Sequence, residues 1–265
     1  MTVTQELEEG CAAAALAGAA VLRRRFGQAR TIDKKGEIDL VTDADRAAEE
    51  VVLEVLRRRF PGAAVLAEES GASGDGGAGL RFVVDPLDGT TNYAHGVPHF
   101  ACNVAALDAR GVAAGATADV MRGELFRARR GGGATLDGAP IRPSGCAAVS
   151  EALLVTGFPY DVHRTHAEVL PLFAAFLGRA RGVRRFGAAA LDLAWVACGR
   201  LDGYWEARLK PWDLAPGLLL VQEAGGTVTD LDGGGGVLAT GDVLAAPAAL
   251  HPRLLEVARA ARAGR

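Results

Sequence analysis

Residues Phe82 to Gly96 read FVVDPLDGTTNYAHG. The apolar run Phe82 to Val84 reads as a strand. Pro86 has no N–H with which to extend a ladder, so the strand is expected to stop at Asp85 and leave that carboxylate at its mouth. Asp88 follows three residues later. Two carboxylates this close at the end of a buried strand repel each other unless something positive sits between them. Gly89 permits close backbone approach, and Thr90-Thr91-Asn92 reads as a helix start, where unpaired N–H groups and the dipole favour a phosphate. The stretch therefore implies a cation below and an anion above.

Two further segments add acids of the same kind. Leu66-Ala67-Glu68-Glu69-Ser70 ends another apolar run, and Lys210-Pro211-Trp212-Asp213 places an acid as the expected N-cap of an apolar helix. If these ends meet, at least four carboxylates share one mouth. Two unpaired charges ~4 Å apart cost on the order of 4 kcal/mol at an effective dielectric of 20, and a hard divalent cation with oxygen ligands relieves that repulsion. This points to Mg2+. Cations beside a helix N-terminus suit the attack of an activated water on a phosphate ester.

The rest of the chain bounds what that site can serve. The 265 residues are 49% hydrophobic, enough for a sizeable core in one large domain or two intimate halves. With 29 Lys and Arg against 32 Asp and Glu, the net charge of −3 offers no overall basic field for nucleic acid or anionic lipid. No apolar run reaches the roughly 18 residues of a membrane span. The N-terminal MTVTQELEEG has acids where a secretory signal has bases, so a cytoplasmic location is expected. Cys11, Cys102, Cys146 and Cys198 form no C-x-x-C pair and read as reduced thiols.

Gln5 to Phe26 reads as a long helix stopped by Gly27. Thr42 followed by Asp45 forms a capping box ahead of a second helix that runs to Phe60-Pro61. Strands are expected at Ala63 to Ala67, Leu80 to Val84, Ala101 to Leu107, Gly111 to Val120 and Leu125 to Arg129, with an Asp137-Gly138 turn beyond them. The first half is thus two helices followed by a mainly antiparallel sheet. After Arg142-Pro143-Ser144-Gly145, strands at Ala152 to Thr156, Val183 to Phe186, Tyr204 to Glu206, Thr227 to Thr229 and Val243 to Ala246 alternate with helices at Ala167 to Leu177, Ala188 to Cys198, Asp213 to Ala224 and Pro252 to Ala261. Two subdomains sharing one cleft, residues 1–145 and 146–265, are expected within a single α+β domain spanning 1–265.

DPLDGTTNYAHGVPHF (85–100) and LKPWDLAPGLLLVQEAGG (209–226) together resemble the two signature motifs of the inositol monophosphatase family. AEES, IDLVTDAD, RRFGAAALDLAWVACGRLDGYWE and TGFPY resemble further blocks of its bacterial branch, in matching order. The resemblance implies a layered αβαβα sugar-phosphatase fold, a homodimer, dependence on two or three Mg2+ ions and inhibition by Li+. Position by position, it implies that Glu68, Asp85 and the Leu87 carbonyl hold the activating ion, and that Asp85, Asp88 and Asp213 hold the second. Glu68 would also bind a third ion. It further implies that water is activated beside Thr90 paired with Asp45, that the Gly89 and Thr90 N–H groups touch the phosphate, and that Asp88, Gly187, Ala189, Glu206 and Asp213 meet substrate hydroxyls. Ala67 stands where the family commonly has Gly. Pro216 stands where Ala or Gly is usual, and is expected third in its helix, where the missing N–H costs little.

Taken singly, Asp45 and Glu69 read as solvated acids; the motif context brings Asp45 into the site and leaves Glu69 beside it. Lys34 matches a family lysine near the cleft and equally suits a surface position. His95, His99, His163, His166 and His251 read as loop residues, because Pro98 breaks any helix that would pair His95 with His99. Trp195, Trp205 and Trp212 read as core or cleft wall. Gly233 to Gly236 lacks the Lys-Ser/Thr of a nucleotide loop and reads as a turn. The expected activity is hydrolysis of a small phosphate monoester, myo-inositol-1-phosphate or a related polyol phosphate. Fructose-1,6-bisphosphate, histidinol phosphate and phosphoadenosine nucleotides are the alternatives within the family, and a regulatory binding protein on the same fold is the alternative outside catalysis.

Overall fold

Thr2 caps helix α1 (Val3–Arg25) in a reciprocal box with Gln5, and the helix ends at Phe26 before Gly27, whose φ of 78° needs no Cβ to accommodate. This is a computed structural model that describes residues 2–28, 32–34, 40–75 and 79–263. Strands β1 (Ile32–Lys34) and β2 (Leu40–Thr42) pair antiparallel. Thr42 then opens α2 (Asp43–Arg59) through the expected capping box with Asp45. The side chain of Lys34 lies outside the described residues.

Eight strands form the larger sheet: β3 (Ala64–Ala67), β4 (Gly71–Ser73), β5 (Arg81–Asp88), β6 (Ala101–Asp108), β7 (Gly111–Asp119), β8 (Glu124–Arg129), β9 (Gly133–Leu136) and β10 (Ala139–Pro140). Their order is β10-β9-β8-β7-β6-β5-β3-β4, antiparallel except for the β3/β5 pair. Helix α3 (Thr90–His95) lies between β5 and β6. Strand β5 does not stop at Asp85 as expected; it resumes pairing at Asp88, with a register shift between the two. That irregularity lets Pro86 stay within the strand without a ladder donor and displaces the acids from regular alternation.

The second sheet runs β12-β11-β13-β15-β14, made of β11 (Leu153–Thr156), β12 (Gly182–Arg184), β13 (Gly203–Glu206), β14 (Gly226–Thr229) and β15 (Val243–Pro247). The helices of this half are α4 (Val162–Leu177), α5 (Ala189–Ala197), α6 (Pro211–Glu223), α7 (Val237–Thr240) and α8 (His251–Ala263). Helix α4 starts five residues before the expected Ala167, so His163 and His166 lie on it, and His251 opens α8. Helices α1 and α2 pack together on one face of the larger sheet. Helices α5 and α6 fill the space between the two sheets, while α4 and α8 cover the far face of the smaller one. The layers are therefore αβαβα, as expected.

Helix α6 departs from the sequence reading in its first turn. Lys210 is the N-cap, Pro211 occupies the first helical position, and Asp213 sits third, its Oδ2 accepting the Lys210 N–H at 2.8 Å. Pro211 lacks an N–H and is preset for the helix, so it moves the cap three residues upstream. Pro216 is consequently inside the helix. Gly115 of β7 accommodates it there: a Cβ on that glycine would stand 2.9 Å from Pro216 Cα. Among the described residues no helix is long and apolar enough to cross a membrane.

Candidate active site

Four acids converge from three elements in two layers. Glu68 follows β3, Asp85 and Asp88 lie at the end of β5, and Asp213 is in the first turn of α6. Asp85 is 1% exposed, and its Oδ1 accepts the Leu87 N–H at 2.9 Å. Burial, and then the charges of Glu68, Asp88 and Asp213, hold its pKa well above the ordinary carboxylate value. Asp88 is anchored by the N-terminus of α5, where Ala189 N–H donates to Oδ1 at 3.1 Å and Ala190 N–H to Oδ2 at 2.8 Å. Burial still pushes it up to about 7 against these stabilising bonds. Burial and the charges of Asp88, Glu68 and Glu206 raise Asp213 likewise.

Beside the acids stands a threonine–aspartate pair. Thr90 Oγ1 lies 3.1 Å from Asp45 Oδ1 and 2.9 Å from the Leu87 carbonyl. Asp45 also accepts the Thr42 N–H at 2.9 Å and its hydroxyl at 2.5 Å. Burial raises Asp45 to about 6 despite these donors. Gly89, with φ 92°, is the N-cap of α3 and presents the helix start to the mouth. Its fit is tight: a Cβ would meet the His99 carbonyl at 3.1 Å. Asn92 Nδ2 donates to the carbonyls of His99 and Phe186, both at 2.8 Å, tying α3 to the second half of the chain.

A cavity of about 250 Å³ opens onto this corner, lined by Asp88, Gly89, Thr90, Asp213, Gly187, Ala189 and Glu206. Glu206 Oε2 accepts the Tyr204 hydroxyl at 2.5 Å. Burial raises Glu206 to about 7, with the Tyr204 bond and Arg185 opposing the shift. Every candidate residue thus falls on one corner or on the cavity it opens into. Of the other cleft residues, Arg208 lines the cavity and pairs with Asp161 and Thr165. The Glu69 N–H donates to Glu49.

The sequence profile of the inositol monophosphatase family matches residues 3–263. The chain belongs to the inositol monophosphatase family. An inositol-1-monophosphatase of Synechocystis is 44% identical over 91% of this chain and 84% of its own length. The Nus factor SuhB of Pseudomonas aeruginosa is 44% identical over 81% of each. The extragenic suppressor protein SuhB of Bartonella henselae superposes with a TM-score of 0.91 at 36% identity, covering 95% of this chain and 97% of that one. This inositol monophosphatase family member is accordingly a phosphatase, of a family that is generally metal-dependent.

The donor set suits a hard cation. The converging side chains are carboxylates, with the Leu87 carbonyl beside them, and three of the acids are raised in part by one another's charge, which a divalent ion would relieve. Among the described residues, no three acid, imidazole or thiol groups are already drawn into one coordination shell. The acids face a common mouth from separate elements rather than enclosing a finished cage.

Two residues at this site escaped the sequence reading. Glu49 of α2, 4% exposed, accepts the Glu69 and Ser70 N–H groups, both at 2.9 Å, and so fixes the turn that carries Glu68. Its position one turn from Val52 and Leu53 on the buried stripe was the available signal. Asp192, alone among apolar residues in AALDLAWVA, is 1% exposed with neither carboxyl oxygen partnered. Burial, then the charges of Asp88 and Glu206, raise it well above the ordinary range.

Proposed function

We propose that this phosphatase is a Mg2+-dependent phosphomonoesterase acting on myo-inositol-1-phosphate or a closely related polyol phosphate. The reading rests on one observation above all: Asp88 and Asp213, buried acids raised in part by neighbouring charge, line one cavity with the start of α3 and the Glu206 carboxyl. Glu68, Asp85, the Leu87 carbonyl, Asp88 and Asp213 would hold two or three Mg2+ ions, which supply Lewis acidity for the attacking water and the leaving oxygen. Gly89 and Thr90 offer backbone N–H groups to the phosphate. Asp45 takes the Thr90 hydroxyl proton as Thr90 Oγ1 takes one from the attacking water, so the hydroxyl is restored and the proton rests on Asp45. Glu206, with Asp88, Asp213, Gly187 and Ala189, receives the polyol hydroxyls. A carboxylate there opposes a second phosphate by on the order of 4 kcal/mol at close approach in an intermediate dielectric, which favours the monophosphate. Arg185 and Arg208 line the same cavity; Arg208 is paired with Asp161, and Arg185 is the charge that partly offsets Glu206.

We also propose that the enzyme works as a cytoplasmic homodimer, sensitive to Li+, with residues 1–145 and 146–265 as its subdomains. The larger sheet is drawn wholly from the first segment and the smaller wholly from the second. Relatives named Nus factor support a second reading, a binding role on the same fold. Phosphate release from inositol-1-phosphate, fructose-1,6-bisphosphate and 3'-phosphoadenosine 5'-phosphate, with Mg2+ and with added Li+, tests both readings. The enzyme reading expects Mg2+-dependent release that is fastest on the first and absent in Asp85→Asn. Equal release by Asp85→Asn at saturating Mg2+ would refute the metal assignment, and a tenfold preference for either bisphosphate would refute the role of Glu206.

A further inference from the structure

Arg208 has a backbone φ of 64°, and apart from Asp137 in the Asp137-Gly138 turn it is the one non-glycine with a positive φ among the described residues. That left-handed conformation crowds a Cβ, and where a long side chain keeps it, the strain points to a use. The surroundings hold it in place. The Arg208 N–H donates to Asp242 Oδ1 at 3.2 Å, and the Leu209 N–H to the Gly241 carbonyl at 2.9 Å. Gly241 makes that approach possible, since a Cβ on it would overlap the Leu209 carbonyl.

From this backbone the side chain joins two segments of the chain. Arg208 Nη2 lies 3.2 Å from Asp161 Oδ1, and Nη1 donates to Asp161 Oδ2 at 3.3 Å. Nη2 also donates to Thr165 Oγ1 at 2.7 Å, and that hydroxyl lies 3.1 Å from the Asp161 carbonyl. Asp161 is the N-cap of α4, and Thr165 lies one turn further along. Phe158, Pro159 and Tyr160, between β11 and α4, line the catalytic cavity, and so do Ala207, Arg208 and Leu209, between β13 and α6. The first of these segments has neither strand nor helix to hold it. The guanidinium fork therefore ties one lining segment to the other.

We propose that Arg208 is a positioning residue for the substrate: it clasps the start of α4 to the loop that follows Glu206, and so sets how closely the cavity fits the polyol. The inference rests on the reading of Glu206 as the receptor of polyol hydroxyls. It depends on the fork and not on the charge alone, because two N–H groups on one carboxylate fix an angle that a lysine leaves free.

The test pairs kinetics on inositol-1-phosphate with amide hydrogen exchange measured without substrate or metal. Arg208→Gly removes the fork and keeps the backbone, because glycine adopts a φ of 64° without strain, so it is expected to melt no lower than wild type. KM should rise about threefold with kcat nearly kept, the scale of an exposed ion pair. Arg208→Lys should leave KM raised. Asp161→Asn, which still suits an N-cap, should raise KM to the level of Arg208→Gly, and the double variant no further. The two side chains are 40% and 50% exposed, so added NaCl should bring the wild-type KM toward that of the variants. Exchange over residues 158–165 should quicken in both single variants. A wild-type KM in both variants overturns the positioning role, as does a loss confined to kcat, and unchanged exchange overturns the clasp itself. No release from inositol-1-phosphate by the wild-type protein would instead overturn the reading of Glu206 beneath it, and the exchange would still decide the clasp.

Discussion

Glu49 Oε2 accepts the Glu69 N–H at 2.9 Å, so a buried acid of α2 holds the turn that presents Glu68 to the mouth. Glu49 also takes the Ser70 N–H, so both of its oxygens serve this one turn. Glu49→Gln keeps the volume but replaces one acceptor with a donor facing an N–H. We expect a loss of about 1–3 kcal/mol in stability, read from urea unfolding, together with a higher Mg2+ requirement for phosphate release. An unchanged Mg2+ requirement would show that the turn is held by other means.

Gly157 abuts the Glu206 carboxylate so closely that a Cβ would overlap it. The Tyr204 hydroxyl donates to Oε2 of that carboxylate at 2.5 Å. Gly157→Ala should therefore displace Glu206 while leaving Asp85, Asp88 and Asp213 in place. We expect KM for inositol-1-phosphate to rise about tenfold with kcat nearly kept, since uniform binding is what is lost. Release from p-nitrophenyl phosphate, which lacks the hydroxyls, should change little. Equal losses on the two substrates would remove Glu206 from substrate recognition.

His99 is buried against Phe186 and Trp195, with Arg122 and Asp119 nearby, and its pKa falls from 6.5 to about 4. Burial is the main cause, and the Arg122 charge adds to it. The unfolded chain takes up the proton first, so stability is intact above pH 6.5 and drains away as pH falls toward 4. At full effect this is on the order of 3 kcal/mol. His99→Phe should flatten that part of the stability curve, measured as urea midpoints between those two pH values. A parallel curve for the variant would place the acid sensitivity elsewhere.

The meeting of Asp85 and Asp88 with the start of α3 was legible because its residues are local. Asp85, Asp88 and Gly89 carry their placement in spacing and backbone chemistry, and the Thr42–Asp45 box is local in the same way. What escaped is what depends on remote packing. Pro86 reads as a strand terminator until the register shift of β5 against β6 absorbs it. Asp213 reads as a cap until Pro211 takes the first helical position, and Pro216 enters the helix because Gly115, about a hundred residues earlier, leaves room for its ring. Glu49 and Asp192 were hidden for a related reason: an acid on a helix reads as solvated until both sides of the helix are known to be covered.

The anchoring of Asp88 by Ala189 and Ala190 also bears on when activity can arise during synthesis. A growing chain carries Glu68, Asp85 and Asp88 out of the ribosome well before the residues that hold Asp88, which lie 101 and 102 positions further on. At about 5–20 residues per second, that interval is roughly 5–20 s. Throughout it the β5 end has no helix terminus to steady Asp88 and no Asp213 to complete the acidic mouth. The nascent protein is thus an inert bearer of three acids, and phosphatase competence arrives late in translation, once α5 and α6 have both been made.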